Sequence, residues 1–420
     1  MNTNNNINGE INLKKWLTLI IIASGAAVIY ALPYIRETFY IPFQNAFHFN
    51  NVQLGVLSAC FSGIATIAYF VGGFVADRFS VRKLLTFSLF SVGISGLYFA
   101  TFPSYTICKM LFVFWGITTV LTYWPAQIKA IRNLGKSEEQ GRLFGISEAI
   151  RGVVATVTTF GMLAVFTKLG GNVKGLQGVI IGYSILAIVI GILSWILIKD
   201  TPRRKGDSLK SIITDTKKIM KMPTVWLVCA LIFCVYSLYG LISYLPPYIT
   251  NVYKGSVQLG VSLGGSRYII QIIGGIIGGF TADKIGSRAK VIFIGFFGVI
   301  LSYAAFIVLP VSASLVTYVI VNFAFGTLVV YIMRSIYFAL IDEAGVEIAI
   351  TGAVAGLASA IGYTPDLFMF TMIGSWLDKN PGKTGYNMMF MYGIGVCVVG
   401  IILAAIMMKI TKKKIKVSTI

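Results

Sequence analysis

Charge is scarce in this chain. Lys, Arg, Asp and Glu together make up 12% of its 420 residues, and only 15 residues are acidic. Soluble domains average about 25% charged residues, so a water-exposed globular fold is excluded. Histidine is almost missing, with His48 the single copy. The five cysteines, Cys60, Cys108, Cys229, Cys234 and Cys397, lie singly in apolar segments. None has the spacing of a metal-ligand set, and Cys229 and Cys234, five apart on one helix, are poorly placed for a bridge. Neither a Walker sequence nor a nucleophile elbow is present, which removes the motor and hydrolase classes. No enzymatic activity, cofactor or metal is expected. A cleavable signal peptide is not expected either, because the polar, Asn-rich start leads into an apolar run long enough to be a span.

What the chain has instead is apolar sequence. Hydrophobic residues make up 56% of it, and the mean hydropathy is +0.82. A membrane-crossing helix needs about 20 mostly apolar residues. That rule predicts twelve spans, over 16–44, 52–76, 84–103, 106–130, 143–168, 176–198, 224–250, 257–281, 291–309, 313–340, 348–377 and 386–408. The expected fold class is an all-α membrane protein with six spans in each half. The net charge of +20 would suggest nucleic acid in a soluble chain. Here the basic residues sit in short loops beside apolar spans, so the expected surroundings are the lipid bilayer and not nucleic acid. With the N-terminus inside, twenty-four Lys and Arg fall on the cytoplasmic side and about six on the other. That asymmetry predicts both termini in the cytoplasm. The expected division is an N-terminal bundle over 1–199, a basic cytoplasmic linker over 200–222 and a C-terminal bundle over 223–420.

One phrase occurs twice. Gly72-Gly73-Phe74-Val75-Ala76-Asp77-Arg78 returns as Gly278-Gly279-Phe280-Thr281-Ala282-Asp283-Lys284, 206 positions later, and each copy is followed by basic residues, Arg82-Lys83 and Arg288-Ala289-Lys290. A repeat of half the chain length at a membrane boundary implies a duplicated membrane protein, and substrates of such proteins lie at the interface of the repeats. Small residues such as Gly73 and Gly279 permit close helix approach. Asp77 and Asp283, at helix ends, could face the positive end of a neighbouring helix.

Twelve spans, two halves, a basic central linker and Gly-x-x-x-Asp-[Arg/Lys] after spans two and eight together resemble the major facilitator superfamily, over nearly the whole chain. The first copy of the motif has Ser80 and Val81 where that family favours glycine and arginine. The second keeps Gly286 and Arg288. The resemblance implies alternating access, with Gly73, Asp77, Arg78, Arg82, Gly279, Asp283, Lys284 and Arg288 as gating residues. The alternative is that the loops only mark topology. The span-one stretch Tyr34-Ile35-Arg36-Glu37-Thr38-Phe39, followed by Pro42, and Trp124-Pro125 in span four are similar to organophosphate/phosphate antiporters of the glycerol-3-phosphate transporter type. That likeness implies that Arg36 binds an anion. The second arginine of that group would fall near Leu238-Tyr239, where this chain has none.

Ionisable residues inside spans are costly and usually functional. Here they are Arg36, Glu37, Glu148, Arg151, Arg267, Arg334 and Asp366. Guanidinium groups recognise carboxylate or phosphate in a bidentate fashion, so Arg36 and Arg267 are candidate substrate contacts, with Tyr236, Tyr239 and Trp124 as cavity-lining aromatics. Arg36 could instead pair with Asp366 or with a carboxylate of span five, and Arg267 could snorkel to the boundary. Arg334 is read as a gate or a snorkelling residue. Asp366, Glu37 and Glu148 are the proton-coupling candidates, although Glu148 and Arg151, three apart, are expected to pair with each other. The Gly274/Gly278 and Gly275/Gly279 pairs are read as packing positions, and Pro246-Pro247 and Pro365 as helix bends.

These readings converge on a monomeric secondary transporter of a small solute, an organic anion, in the bacterial inner (cytoplasmic) membrane, working by proton symport or by anion exchange. Two alternatives stay open. One is an exporter of hydrophobic or cationic compounds on the same fold, and the other is a non-transporting membrane sensor.

Overall fold

The structure, a computed structural model, describes residues 2–135, 139–199, 219–346 and 351–418. Among them there are helices and turns and no strand. The first half of the chain holds α1 (Asn2–Val28), α2 (Tyr40–Phe47), α3 (Asn51–Arg78), α4 (Val81–Phe99), α5 (Tyr105–Gly116), α6 (Trp124–Arg132), α7 (Gln140–Lys168) and α8 (Val173–Leu197). The second half holds α9 (Pro223–Leu241), α10 (Leu245–Val252), α11 (Val257–Ile285), α12 (Arg288–Val308), α13 (Val316–Ile336), α14 (Leu340–Glu343), α15 (Thr351–Gly362), α16 (Pro365–Lys379) and α17 (Lys383–Ser418). Most of the expected linker, residues 200–218, lies outside the described residues.

Nine helices among the described residues are long and apolar enough to cross a membrane. They match nine of the twelve expected spans, and the other three deviate for physical reasons. Span one does not run unbroken over 16–44. It leaves the helix after Val28, turns through 29–34 and resumes as a 3-10 segment, Ile35–Glu37, before α2. Pro33 lies in that turn, and a proline removes one backbone donor and clashes with the carbonyl four residues earlier. Span three, α4, opens with Arg82 and Lys83, which lower its hydropathy. Span eleven divides into α15 and α16 just before Pro365. The prolines of span seven act as expected: α9 gives way to a 3-10 segment, Ile242–Tyr244, and α10 starts with Pro246 and Pro247 in its first turn.

The duplication therefore reaches beyond the motif. The 3-10 segments Ile35–Glu37 and Ile242–Tyr244 are separated by 207 positions, within one residue of the motif offset, and each leads into an eight-residue helix.

The chain forms two compact units. One gathers Met1–Ile35 and Ile67–Asp207, the other Arg36–Thr66 and Ser208–Ile420. The segment Arg36–Thr66 thus packs with the second half of the chain, although the repeat assigns it to the first. In the first unit, glycines let α4 and α8 close on each other: a Cβ on Gly93 would come within 2.8 Å of the Ser184 carbonyl oxygen. Trp115 is fully buried between Phe99 and Phe112 and donates its indole N–H to Ser95 Oγ at 2.8 Å. In the second unit, Tyr248 meets Phe306, Phe390 and Tyr386 edge-on or tilted at 5.1–5.5 Å between ring centroids. Lipid tails are as apolar as these side chains, so close packing and buried hydrogen bonds, rather than escape from water, hold such helices together.

Gly274 and Gly278 bear out the packing expectation, since a Cβ on either would strike α13 at Tyr331 or Ser335. Gly275 and Gly279 do not, because each faces open space among the described residues. In the first unit Gly72 is in contact, with Pro125 and the Leu121 carbonyl oxygen nearby. Gly72 and Gly278, the first glycine of each pair, both pack and stand 206 positions apart.

Candidate functional site

The break in span one determines where its charges go. Arg36 and Glu37 lie in the 3-10 segment Ile35–Glu37, so their side chains leave the chain where the regular helix is interrupted. Both are buried, at 2% and 6% exposure. Arg36 donates to Ser58 Oγ at 3.2 Å and to Ser243 Oγ at 3.3 Å. Ser243 belongs to the matching 3-10 segment of the other repeat, so the two interrupted helices meet through this hydrogen bond. The guanidinium carbon also stands 3.9 Å from the centre of the Phe370 ring, 5.2 Å from Tyr244 and 5.7 Å from Tyr40. Such cation–π contacts are worth about 2 kcal/mol or more when desolvated, but they do not cancel a charge. Arg36 makes no ion pair among the described residues, and its Nε has no hydrogen-bond partner. The expected alternative, pairing with Asp366 or a span-five carboxylate, is not formed.

Arg267 contrasts with it. It does not snorkel: its exposure is 2%, and it donates to the Glu37 carboxylate in a buried ion pair. Gly264, one helical turn earlier on α11, makes this possible. A Cβ there would sit 2.9 Å from Thr38 Cα and 3.2 Å from the Glu37 carbonyl oxygen, so only glycine admits the backbone of the 3-10 segment so closely. Two sequence candidates, Glu37 and Arg267, are thereby spent on each other in this structure.

Asp366 is 4% exposed, in the first turn of α16. It accepts hydrogen bonds from Tyr236 Oη at 2.8 Å and Ser62 Oγ at 3.4 Å, and no cation lies within ion-pair range among the described residues. Phe370, the ring under Arg36, is four residues further along the same helix and therefore on the same face. Tyr239 carries the guanidinium of Arg334 over its ring at 4.0 Å. Tyr236, Tyr239 and Tyr331 continue as one aromatic series with centroid spacings of 5.6 and 5.9 Å. Arg36, Glu37, Arg267, Tyr236, Tyr239, Arg334 and Asp366 thus belong to one unit. Trp124 and Glu148 belong to the other. Trp124 opens α6 directly after a π-helical stretch, Ile117–Tyr123, a distortion common at functional sites. Glu148 pairs with Arg151, with Arg151 Nε at 3.1 Å, on a half-exposed face.

Of the expected gating residues, Gly73 and the side chain of Asp77 lie outside the described part. Arg78 is exposed, and the Arg82 guanidinium stacks on Trp195 at 4.3 Å. Gly279 contacts no neighbouring helix among the described residues, and Asp283 and Lys284 are exposed. Glu343 meets a helix N-terminus in the second unit, where it accepts from Ser287 Oγ and the backbone N–H groups of Arg288 and Ala289 at 2.7–3.1 Å. At the other end of α3, Asp378 accepts from the N–H groups of Asn51 and Val52 at 3.1 and 2.9 Å, and from Asn51 Nδ2 at 2.6 Å. Next to this cap α3 and α16 touch backbone to backbone, Gly55 against Phe370 and Gly374 against Asn51. Sequence reasoning passes over Ser58, Ser62, Ser243, Phe370, Glu343 and Asp378. The available signals are Phe370 one turn after Asp366, Ser243 just before Pro246-Pro247, and Glu343 beside Asp342 at a span end.

A separate cavity of about 510 Å³ is apolar and lined by Trp226, Phe233, Cys234, Ile361, Tyr392 and Val399 among others. None of the charged residues above reaches it.

The model of the Major Facilitator Superfamily matches residues 16–364. The inner membrane protein YihN of Escherichia coli (strain K12) is 35% identical over 395 residues, covering 91% of this chain and 92% of that one. The glycerol-3-phosphate transporter of Bacillus subtilis (strain 168) is 24% identical, over 90% of this chain and 86% of its own. The crystal structure of a bacterial homologue of the human lysosomal transporter Spinster superposes with a TM-score of 0.71 at 18% identity, covering 97% of this chain and 98% of the other. An all-helical, duplicated chain with interrupted first and seventh spans and these relatives belongs to the major facilitator superfamily of membrane transporters.

Proposed function

We propose that this transporter moves a small organic anion, a carboxylate or phosphate ester, by alternating access coupled to a proton. The observation that carries the reading is Arg36, which is 2% exposed and held by two serine hydroxyls and ring faces, with no carboxylate partner among the described residues. An uncompensated buried charge is strongly unfavourable, and a bound anion would supply the missing counter-charge in bidentate geometry. The similarity to a glycerol-3-phosphate transporter supports an anionic cargo.

Asp366 is the proposed proton carrier. Its surroundings are Tyr236, Ser62 and, more distantly, Arg36 and Glu37. Gaining a proton there removes a negative charge near Arg36 and favours anion entry, and losing it favours release. Glu37 is a second carrier if its pair with Arg267 opens, and exchange against another anion would need neither. The halves 1–199 and 223–420, joined by the linker 200–222, are the bodies proposed to rearrange, with Asp77, Arg78, Arg82, Asp283, Lys284 and Arg288 at the motif end. The proposed location is the inner membrane, as for YihN, with both termini cytoplasmic and the chain working as a monomer.

Uptake of labelled phosphate esters, dicarboxylates and sugar acids into proteoliposomes tests this, with Arg36→Ala as the paired variant. Saturable uptake that falls at least about a hundredfold in the variant, as expected for losing about 3 kcal/mol of a charged contact, supports it. Uptake indifferent to Arg36 overturns it. The apolar cavity beside Trp226 and Phe233 would then favour the competing reading, export of hydrophobic compounds.

A further inference from the structure

We infer, building on the anion reading of Arg36, that the substrate is a dianion whose two acidic groups are several bonds apart, and that Arg334 binds the second of them. Three arginines in the second unit lie among the tyrosines and serines of the site, and their electrostatic states differ. Arg267 is matched by Glu37. Arg36 and Arg334 make no ion pair among the described residues, while the Nε of all three is buried with no hydrogen-bond partner.

Arg334 is held in a way that suits a ligand. Its guanidinium carbon stands 4.0 Å from the centre of the Tyr239 ring. The titratable groups around it are the phenols of Tyr239, Tyr337, Tyr331 and Tyr363, all neutral. Tyr337 and Tyr363 share a hydrogen bond at 3.0 Å, so that wall is a connected hydroxyl surface. A gating arginine would hold a carboxylate across a closure, and Arg334, half-buried, makes no ion pair among the described residues.

The two unmatched guanidinium groups share a scaffold. Ser243 holds Arg36, and Tyr239, four residues earlier on the same helical path, carries Arg334. Four residues of helix advance by about 6 Å, so the two residues that hold these guanidinium groups stand about one turn apart along span seven. A short monoanion can satisfy one of them and leaves the other uncompensated. A chain of about four to six carbons with an acid at each end spans such an offset, and hydroxyls along it would meet Tyr236, Tyr239 and Ser243. Charge balance agrees. With Glu37 assigned to Arg267 and Asp366 carrying the coupling proton, the site holds two positive charges, which a dianion neutralises.

The test is thermal stabilisation of the purified transporter in detergent by matched probes: succinate, glutarate and adipate against butyrate, valerate and hexanoate, and 3-phosphoglycerate against glycerate. The wild-type protein is expected to bind the best dianion at least roughly tenfold more tightly than its monoanionic partner, a gap of about 1.4 kcal/mol. Arg334→Gln should reduce that preference to within about twofold, and Arg334→Lys should restore part of it, since lysine keeps the charge without the fork. Arg36→Gln should weaken both classes. Size-exclusion profiles and probe-free melting points identify any variant that fails to fold, and Arg334→Lys then carries the comparison. Equal binding of monoanions and dianions, no binding by any probe, or a dianion preference unchanged in Arg334→Gln overturns the inference. Binding lost in Arg334→Gln but untouched in Arg36→Gln would instead overturn the parent reading of Arg36 while upholding Arg334 as an anion contact.

Discussion

Glu37 and Arg267 illustrate how much one residue can depend on another 230 positions away. Each is nearly inaccessible, and each is the other's only ion-pair partner among the described residues. Removing one charge leaves the other buried and unmatched, a change that costs about 3–5 kcal/mol, whereas replacing both by apolar groups is often neutral. Glu37→Gln should therefore lower the thermal unfolding midpoint markedly, and Glu37→Gln combined with Arg267→Met should recover much of the loss. A double-mutant cycle on the midpoints measures the coupling, and additive effects would show that the pair does not act as one unit. Arg36, with serine and ring partners only, should behave differently: Arg36→Gln is expected to leave the midpoint close to wild type while abolishing anion response.

At the level of elements, the contact between α3 and α16 is set by glycines at matching positions. A Cβ at Gly374 would lie 2.5 Å from the Asn51 carbonyl oxygen, and one at Gly55 would lie 2.5 Å from the Phe370 backbone. Helix backbones cannot shift around such an intrusion without opening the Asp378 cap beside it. Gly374→Ala is expected to destabilise the protein by about 1–3 kcal/mol, read as a lower midpoint. Gly275→Ala, with open space around it, serves as the neutral control. The spans themselves are legible in the sequence because lipid imposes both a length and a polarity rule on every crossing. The interruptions at Pro33, Pro246 and Pro365 follow from proline chemistry. The partners at those interruptions are much less legible. Ser58, Ser62 and Ser243 are ordinary residues in membrane helices, and only the tertiary register brings them to Arg36 and Asp366. The Glu37–Arg267 pair likewise depends on Gly264, one glycine among the 44 of this chain. Charge in an apolar run announces a site, but it does not say which charges cancel.

For the molecule as a whole, the duplication is the feature that organises the rest. Motif, close-packing glycine and interrupted helix all recur at an offset of 206 or 207 positions, and the Arg36–Ser243 hydrogen bond joins equivalent points of the two copies. The basic residues give that duplicated chain a direction. Fusion of a fluorescent protein or of alkaline phosphatase to the C-terminus should give fluorescence and no phosphatase activity, the signature of a cytoplasmic end, and the opposite result would invert the proposed topology. The cap on α3 has a consequence in time as well as in space. The N–H groups of Asn51 and Val52 each rest on an oxygen of Asp378, on a segment that packs with the second half of the chain. Their hydrogens can be traded for deuterium only while that carboxylate is away. These two amides therefore act as a built-in clock, whose rate reports how often this end of the transporter lets go.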